Sequence, residues 1–147
     1  MELDATDSQI IQLLQQDGRM SNADLAARIH RSESACHRRV RRLEETGVIE
    51  GYSADINQAA VGKPANIFVE ITLASMGEDT LNAFEQAVGA CDDVVTCFFM
   101  TGDADYLLHI TAANTEDYER IYRTHLSRLP GIARIRTSFA LRVVGKA

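Results

Sequence analysis

The 147-residue chain carries a net charge of −6, has a pI near 5.1 and is 46% hydrophobic, enough apolar content for the core of one domain or two small ones. No apolar run approaches the roughly 18 residues needed to cross a bilayer, and the start, MELDATDSQ, lacks the basic and apolar stretches of a signal peptide, so a cytoplasmic location is expected. Three cysteines without CxxC spacing or a Cys/His cluster indicate reduced thiols rather than a disulfide frame or a zinc site, with Cys36 and Cys97 expected as small core residues.

Asp4 with Asp7 three residues on predicts a capped helix whose apolar face is Ile10, Ile11, Leu13 and Leu14, ending at Asp17-Gly18. Ser21 with Asp24 repeats the device and opens a short helix through Leu25, Ala26 and Ile29. A third helix runs from about Glu33 to Thr46, capped by Ser32 and closed by Gly47. Cys36, Val40 and Leu43 line its buried stripe, Ser34, Arg38, Arg41 and Glu45 face away from that stripe, and Arg39 lies nearer to it.

Residues 28–42 hold six arginines (28, 31, 38, 39, 41, 42) against one acid, Glu33, in a chain that is acidic overall. A solvated helix face is the plain reading of a charge run, but the exclusive use of Arg favours nucleic acid, because the planar guanidinium fork matches phosphates and guanine edges. The net negative charge is no objection: a duplex senses the surface within a Debye length of about 8 Å, not the molecular total. Only His30, Arg31 and Ser32 join the second and third helices, which is the spacing of a helix-turn-helix. In that arrangement Ser34, His37 and Arg38 are candidates for base edges, while Arg41, Arg42, Ser32 and the helix start at Ser21 and Asn22 suit the DNA backbone.

Val48, Ile49 and Tyr52 around Glu50-Gly51 read as a short hairpin or wing that completes a DNA-binding domain over residues 1–51, and residues 52–64 read as an extended linker. Residues 65–147 have another rhythm. The segment ANIFVEITL alternates like a strand with one buried face. A helix with Leu81, Phe84 and Val88 follows, then strands at 94–101 and 106–112, a helix capped by Asn114, and a last strand over residues 132–144. The order β-α-β-β-α-β is the ferredoxin-like pattern, so the fold class is α+β, with both helices on one face of a four-stranded antiparallel sheet. Because residues 94–100 are apolar on both sides, the other face is expected to be covered by a second copy.

The loop Gly102-Asp103-Ala104-Asp105-Tyr106 offers carboxylates for an ammonium group and backbone amides for a carboxylate, the complement of a small zwitterion. On turn chemistry alone the plainer reading is a hairpin turn, and its two acids suit Mg²⁺ with a phosphate. No P-loop and no Ser/His/Asp arrangement accompanies it, so an enzyme is not expected and no cofactor is called for. His109 and His125 read as structural.

With both halves in view the chain resembles the Lrp/AsnC family of leucine-responsive and feast/famine regulators. The markers are LDATDSQIIQLLQQDGRMSNADLA, CHRRVRRLEETGVIEGY, FVEITL, TGDADYLL and LPGI. The resemblance implies a winged helix-turn-helix joined to an amino-acid-sensing, ferredoxin-like (ACT-like, RAM) domain, and a transcriptional regulator of amino-acid metabolism genes whose partners are double-stranded DNA, an amino acid and further copies of itself. Dimers assembling into tetramers or octamers are implied, with the effector between dimers near Thr101, Gly102, Asp103, Asp105 and Tyr106, and with Thr137 and Ser138 contributing from the last strand. His37 stands at a position that varies among relatives, so base preference does not transfer. An architectural DNA-binding protein without an effector is the alternative.

Overall fold

The computed structural model describes residues 1–145. The elements are α1 (Ala5–Gln16), α2 (Asn22–Arg28), α3 (Glu33–Glu45), β1 (Ala65–Leu73), α4 (Glu78–Gly89), β2 (Val94–Phe99), β3 (Tyr106–Ala112), α5 (Thr115–Thr124), a 3-10 turn at Leu126–Arg128, and β4 (Ile132–Ala140). They fall into two compact units, Met1–Asp55 and a second beginning at Ile56. Among the described residues no helix is long and apolar enough to cross a membrane.

In the first unit each helix opens on a side chain that satisfies a free amide of its first turn. Asp4 and Asp7 form a reciprocal capping box, Ser21 accepts from Asp24 N, and Ser32 accepts from Ala35 N. The turn between α2 and α3 is a Schellman closure, in which Arg31 N donates to Ala26 O at 3.0 Å and His30 N to Ala27 O at 3.3 Å. That geometry needs a left-handed residue, and His30 supplies it with φ 55° where glycine is usual. Ile10, Leu25, Ala26, Ile29, Cys36 and Leu43 make the core, so the stripe expected of α3 is the one that is buried.

The wing hairpin expected after Gly47 is absent among the described residues, since no strand lies between α3 and β1. Its strand-forming residues are used otherwise. Ile49 packs on the first core and donates its N–H to Leu43 O at 2.9 Å, and the Tyr52 hydroxyl donates to Glu44 at 3.0 Å. The linker is also not extended throughout: Asn57 heads a tight turn in which its Oδ1 accepts from Ala60 N and Lys63 N reaches Gln58 O.

The second unit is a four-stranded sheet in the order β2-β3-β1-β4, with every pairing antiparallel. Ile67, Val69, Ile71 and Leu73 of β1 share one face with Tyr106, Leu108, Ile110 and Ala112 of β3. Phe84 and Val88 of α4 and Ile121 of α5 close over that face, forming a single core. The opposite face carries Phe68, Glu70 and Thr72 of β1, Leu107 and His109 of β3, and Arg134, Arg136 and Ser138 of β4, and among the described residues no helix of this unit packs on it. Strand β4 stops at Ala140, short of the expected residue 144, because its partner Asn66 is already at the start of β1. Beyond it Leu141, Val143 and Val144 are 99%, 72% and 88% exposed. Cys36 is buried as expected, but Cys97 is exposed, because β2 is an edge strand with solvent along its outer side.

Candidate functional site

Helix α3 sets the first site. With Cys36 and Leu43 fully buried, the 100° step between residues turns Ser34, His37, Arg38 and Arg41 to solvent, and all four are exposed. Arg31, Ala35, Arg38, Arg39 and Arg42 line one concave surface of about 500 Å³. The arginines divide by partner. Arg38 makes no ion pair among the described residues, and Arg41 pairs only with the exposed Glu45 at 3.3 Å, an interaction of little strength in water. Arg39 and Arg42 instead reach back to α1. Arg42 Nη2 donates to Asp7 Oδ2 at 2.7 Å, and Arg39 Nη1 donates to Asp7 Oδ1 at 3.0 Å and Asp4 Oδ2 at 2.7 Å.

Asp7 is fully buried under these two guanidinium groups. The backbone amide of Asp7, followed by the Arg39 side chain, holds the Asp4 carboxyl down at about 2. Arg42, expected to hold a phosphate, thus has a structural attachment as well, though its side chain remains 49% exposed. Arg31 and Arg39, part of the arginine cluster but given no site role from the sequence, line the same surface. The spacing of Asp4 and Asp7 from Arg39 and Arg42 carries no local signal, because the pairing is tertiary.

Ser21, Asn22 and Ser32 lie at the ends of the helix pair. Besides the two serine caps, Asn22 Nδ2 donates to Glu33 O at 2.8 Å, fixing the start of α2 against the start of α3. These bonds tie the start of α2 to the start of α3; first-turn amides that take no cap have no partner within their own helix.

The second candidate region is not one cluster. Thr101, Gly102 and Asp103 are exposed at the tip of the β2–β3 hairpin, with Gly102 at φ 102°. Asp105 turns inward: its Oδ2 accepts from Leu73 N at 2.7 Å and its N–H donates to Ile71 O at 2.8 Å, so it pins the loop to β1. Tyr106 is 1% exposed in the helix-covered core, its ring tilted against those of Phe84 and Phe99, with its hydroxyl donating to Glu85 Oε1 at 2.7 Å. Burial, reinforced by Glu85, pushes that phenol well above its ordinary value.

Thr137 also lies on the helix side, 2.5 Å from the Tyr118 hydroxyl, whereas Ser138 lies opposite, beside Phe68 in the register. Consecutive strand residues face opposite ways, so the last-strand pair cannot serve one pocket of one chain. What does gather around Asp103 is a polar recess of about 80 Å³ with Glu70, Thr72, Ala104, Arg134 and Arg136. The arginines were legible in principle, since alternation in β4 puts Arg134 and Arg136 opposite Ile135 and so on the face of Glu70 and Thr72. The paired-acid reading of the loop as an Mg²⁺ site does not fit this geometry. Asp105 is bound to a backbone amide and Asp103 sits among cations, where a divalent ion is disfavoured.

The comparisons with known proteins agree with this architecture. Residues 3–50 match the winged helix-turn-helix DNA-binding domain and residues 66–146 match the Lrp/AsnC ligand binding domain. The chain is 38% identical over 143 residues to the Bkd operon transcriptional regulator of Pseudomonas aeruginosa, covering 97% of this chain and 94% of that one. It is 39% identical over 135 residues to the leucine-responsive regulatory protein of Haemophilus influenzae, covering 92% and 81% respectively. Among solved structures, a Neisseria meningitidis transcriptional regulator in complex with L-Met superposes with a TM-score of 0.93 at 29% identity, covering 99% of this chain and 94% of that one. An AsnC family regulator from Agrobacterium tumefaciens gives 0.93 at 30% identity, covering 98% and 94%. These relatives are transcriptional regulators and not enzymes, and the chain belongs to the Lrp/AsnC family of DNA-binding transcriptional regulators.

Proposed function

We propose that the chain is a cytoplasmic, amino-acid-responsive regulator that binds specific DNA sites as a homo-oligomer. The observation that carries the DNA half is the exposed face of α3; in this reading Ser34, His37 and Arg38 meet base edges and Arg41 a phosphate. Arg42 shares itself between Asp7 and the backbone, and the starts of α2 and α3 at Ser21, Asn22 and Ser32 point amides at adjacent phosphates. Arg38→Ala should weaken binding to a preferred site more than to random DNA, whereas Arg41→Ala should weaken both about equally and lower the salt dependence by about one counterion.

For the effector half, the recess beside Thr101, Gly102 and Asp103 offers Arg134 and Arg136 to a carboxylate and Asp103 and Glu70 to an ammonium group. At about 80 Å³ it holds the zwitterionic end of an amino acid and leaves the side chain outside. A neighbouring copy would then complete the site, with Ser138 on the same face. Asp105, Tyr106 and Thr137 act here by fixing the loop and strands. The L-Met bound to the Neisseria regulator supports this class of ligand. Asp103→Ala should abolish the response of DNA binding to an added amino acid while leaving the affinity of the free protein within a few-fold. Equal affinity for specific and random DNA, unmoved by any of the twenty amino acids, would instead identify an architectural DNA-binding protein.

A further inference from the structure

Three residues that no sequence motif connects meet at one end of the second unit. Cys91 and Asp93 lie in the turn between α4 and β2, and His125 caps the carboxyl end of α5. Their donor atoms, a thiol sulfur, a carboxylate oxygen and a ring nitrogen, all lie within 4.8 Å of one another. His125 Nε2 and Asp93 Oδ2 are already 3.6 Å apart. Bond lengths of about 2.0–2.3 Å to zinc put tetrahedral ligands roughly 3.4–3.8 Å apart, so one edge of such a site is preformed, and the Cys91 sulfur, within 4.8 Å of both other donors, has about 1 Å at most to close.

The surroundings suit a metal better than a plain ion pair. Cys91 is 7% exposed and Asp93 15%, while His125 is 35% exposed, which leaves solvent on one side for a fourth ligand. Arg120 faces the other oxygen, Asp93 Oδ1, at 3.7 Å and is itself held by Asp117 at 2.9 Å. The two oxygens of Asp93 therefore have separate neighbours, and the arginine orients the carboxylate without occupying the oxygen that faces His125. A sulfur, a nitrogen and an oxygen are zinc donors, whereas Mg²⁺ and Ca²⁺ take oxygens.

We infer that Cys91, Asp93 and His125 form a three-ligand site for Zn²⁺, with water as the fourth ligand, clipping the α4–β2 turn to the end of α5. On binding, the Cys91 thiol gives its proton to solvent as the sulfur–metal bond forms, so thiolate and carboxylate together balance the two charges of the ion. This site is independent of the DNA-binding and effector readings.

The test uses the tag-free full chain with Co²⁺ as a spectroscopic probe and Zn²⁺ as competitor. Expected are a thiolate-to-cobalt charge-transfer band, displacement of that band by Zn²⁺, and release of about one proton per ion bound. Cys97→Ser, which removes the exposed thiol, should leave all three unchanged. His125→Gln should raise the Zn²⁺ Kd at least tenfold and remove the zinc-dependent rise in Tm. His125 is half-exposed, so this variant carries little of the folding risk of replacing the buried Cys91. Absence of the band, its loss in Cys97→Ser, or an unchanged Kd in His125→Gln would each overturn the assignment.

Discussion

Asp7 and Thr111 are the polar side chains buried among the described residues, and Asp7 alone of the two carries a formal charge. Its two oxygens take one arginine each from α3, which joins the capping box of α1 to the helix that presents the DNA-binding face. Removing one partner of a buried pair leaves the other without compensation, but Arg39 and Arg42 can swing to water, so Asp7→Ala should cost about 2–3 kcal/mol rather than more. A lowered urea midpoint by far-UV circular dichroism is the measurement. The same variant frees Arg42, and its DNA affinity per folded molecule should fall because α3 loses its fixed seat; undiminished affinity would show that α3 is seated by its apolar stripe alone.

Asp4 adds a pH dependence. Its folded value of about 2 lies below the ordinary 3.8, so its contribution is fully present above pH 3.8 and is lost as the pH falls from there through 2. Asp117, lowered by the Ala113 amide and then by Arg120, works in the same direction at the start of α5. Acid titration should therefore loosen these helix starts below about pH 4, and Asp4→Asn should flatten the part of that transition belonging to the first unit.

Among the elements, two turns are held by left-handed residues of opposite suitability. His30 closes α2 at φ 55° although a β-carbon there costs about 1–2 kcal/mol. His30→Gly relieves that strain and adds about 0.5–1 kcal/mol of chain entropy cost, so a small net stabilisation is expected as a raised urea midpoint. Gly131, at φ 74°, has the reverse outcome. A β-carbon there would lie 2.9 Å from the Thr80 methyl, and the Gly131 carbonyl accepts from Ala74 N at 2.8 Å. Gly131→Ala should cost about 2–3 kcal/mol, strain and crowding together.

The same elements show what the sequence could reveal. Strand β1 was legible to the residue because one of its faces is buried and its alternation is strict, and α3 because cap, stripe and stop all agree. The expected strand hairpin at the wing does not form because Val48, Ile49 and Tyr52 have strand propensity but no partner strand between α3 and β1 among the described residues. The end of β4 falls short of the sequence expectation because pairing length is set by where β1 begins: Asn66, the partner of Ala140, is only the second residue of β1. In the candidate region, turn composition marked residues 102–105 as a hairpin turn, and they lie between β2 and β3. Which side chains turn inward, Asp105 to β1 and Tyr106 to Glu85, depended on contacts made across the fold.

At the scale of the molecule, the uncovered face of the sheet is the feature with the largest consequence. Phe98 is 54% exposed and Phe68 37%, with Leu107 and the stacked His109 between them in the register. Toward β4 the same face turns polar through Glu70, Arg134 and Arg136. An apolar area of this kind bordered by charge is the composition of an interface core and rim, and a two-fold axis through it would set one copy's arginines near the other's acids. Such pairing would link two copies of α3, and linked heads bind adjacent half-sites with an avidity that neither has alone. Phe98→Asp places a charge on the β2 side of this apolar area without touching the helix-side core. Light scattering should then show a fall from the assembled mass toward that of a single chain, and affinity for a two-half-site DNA should fall by at least tenfold while affinity for one half-site stays level. An unchanged mass in this variant would place the contact between copies elsewhere on the molecule, and a monomeric parent protein would remove the paired-head account of DNA binding altogether.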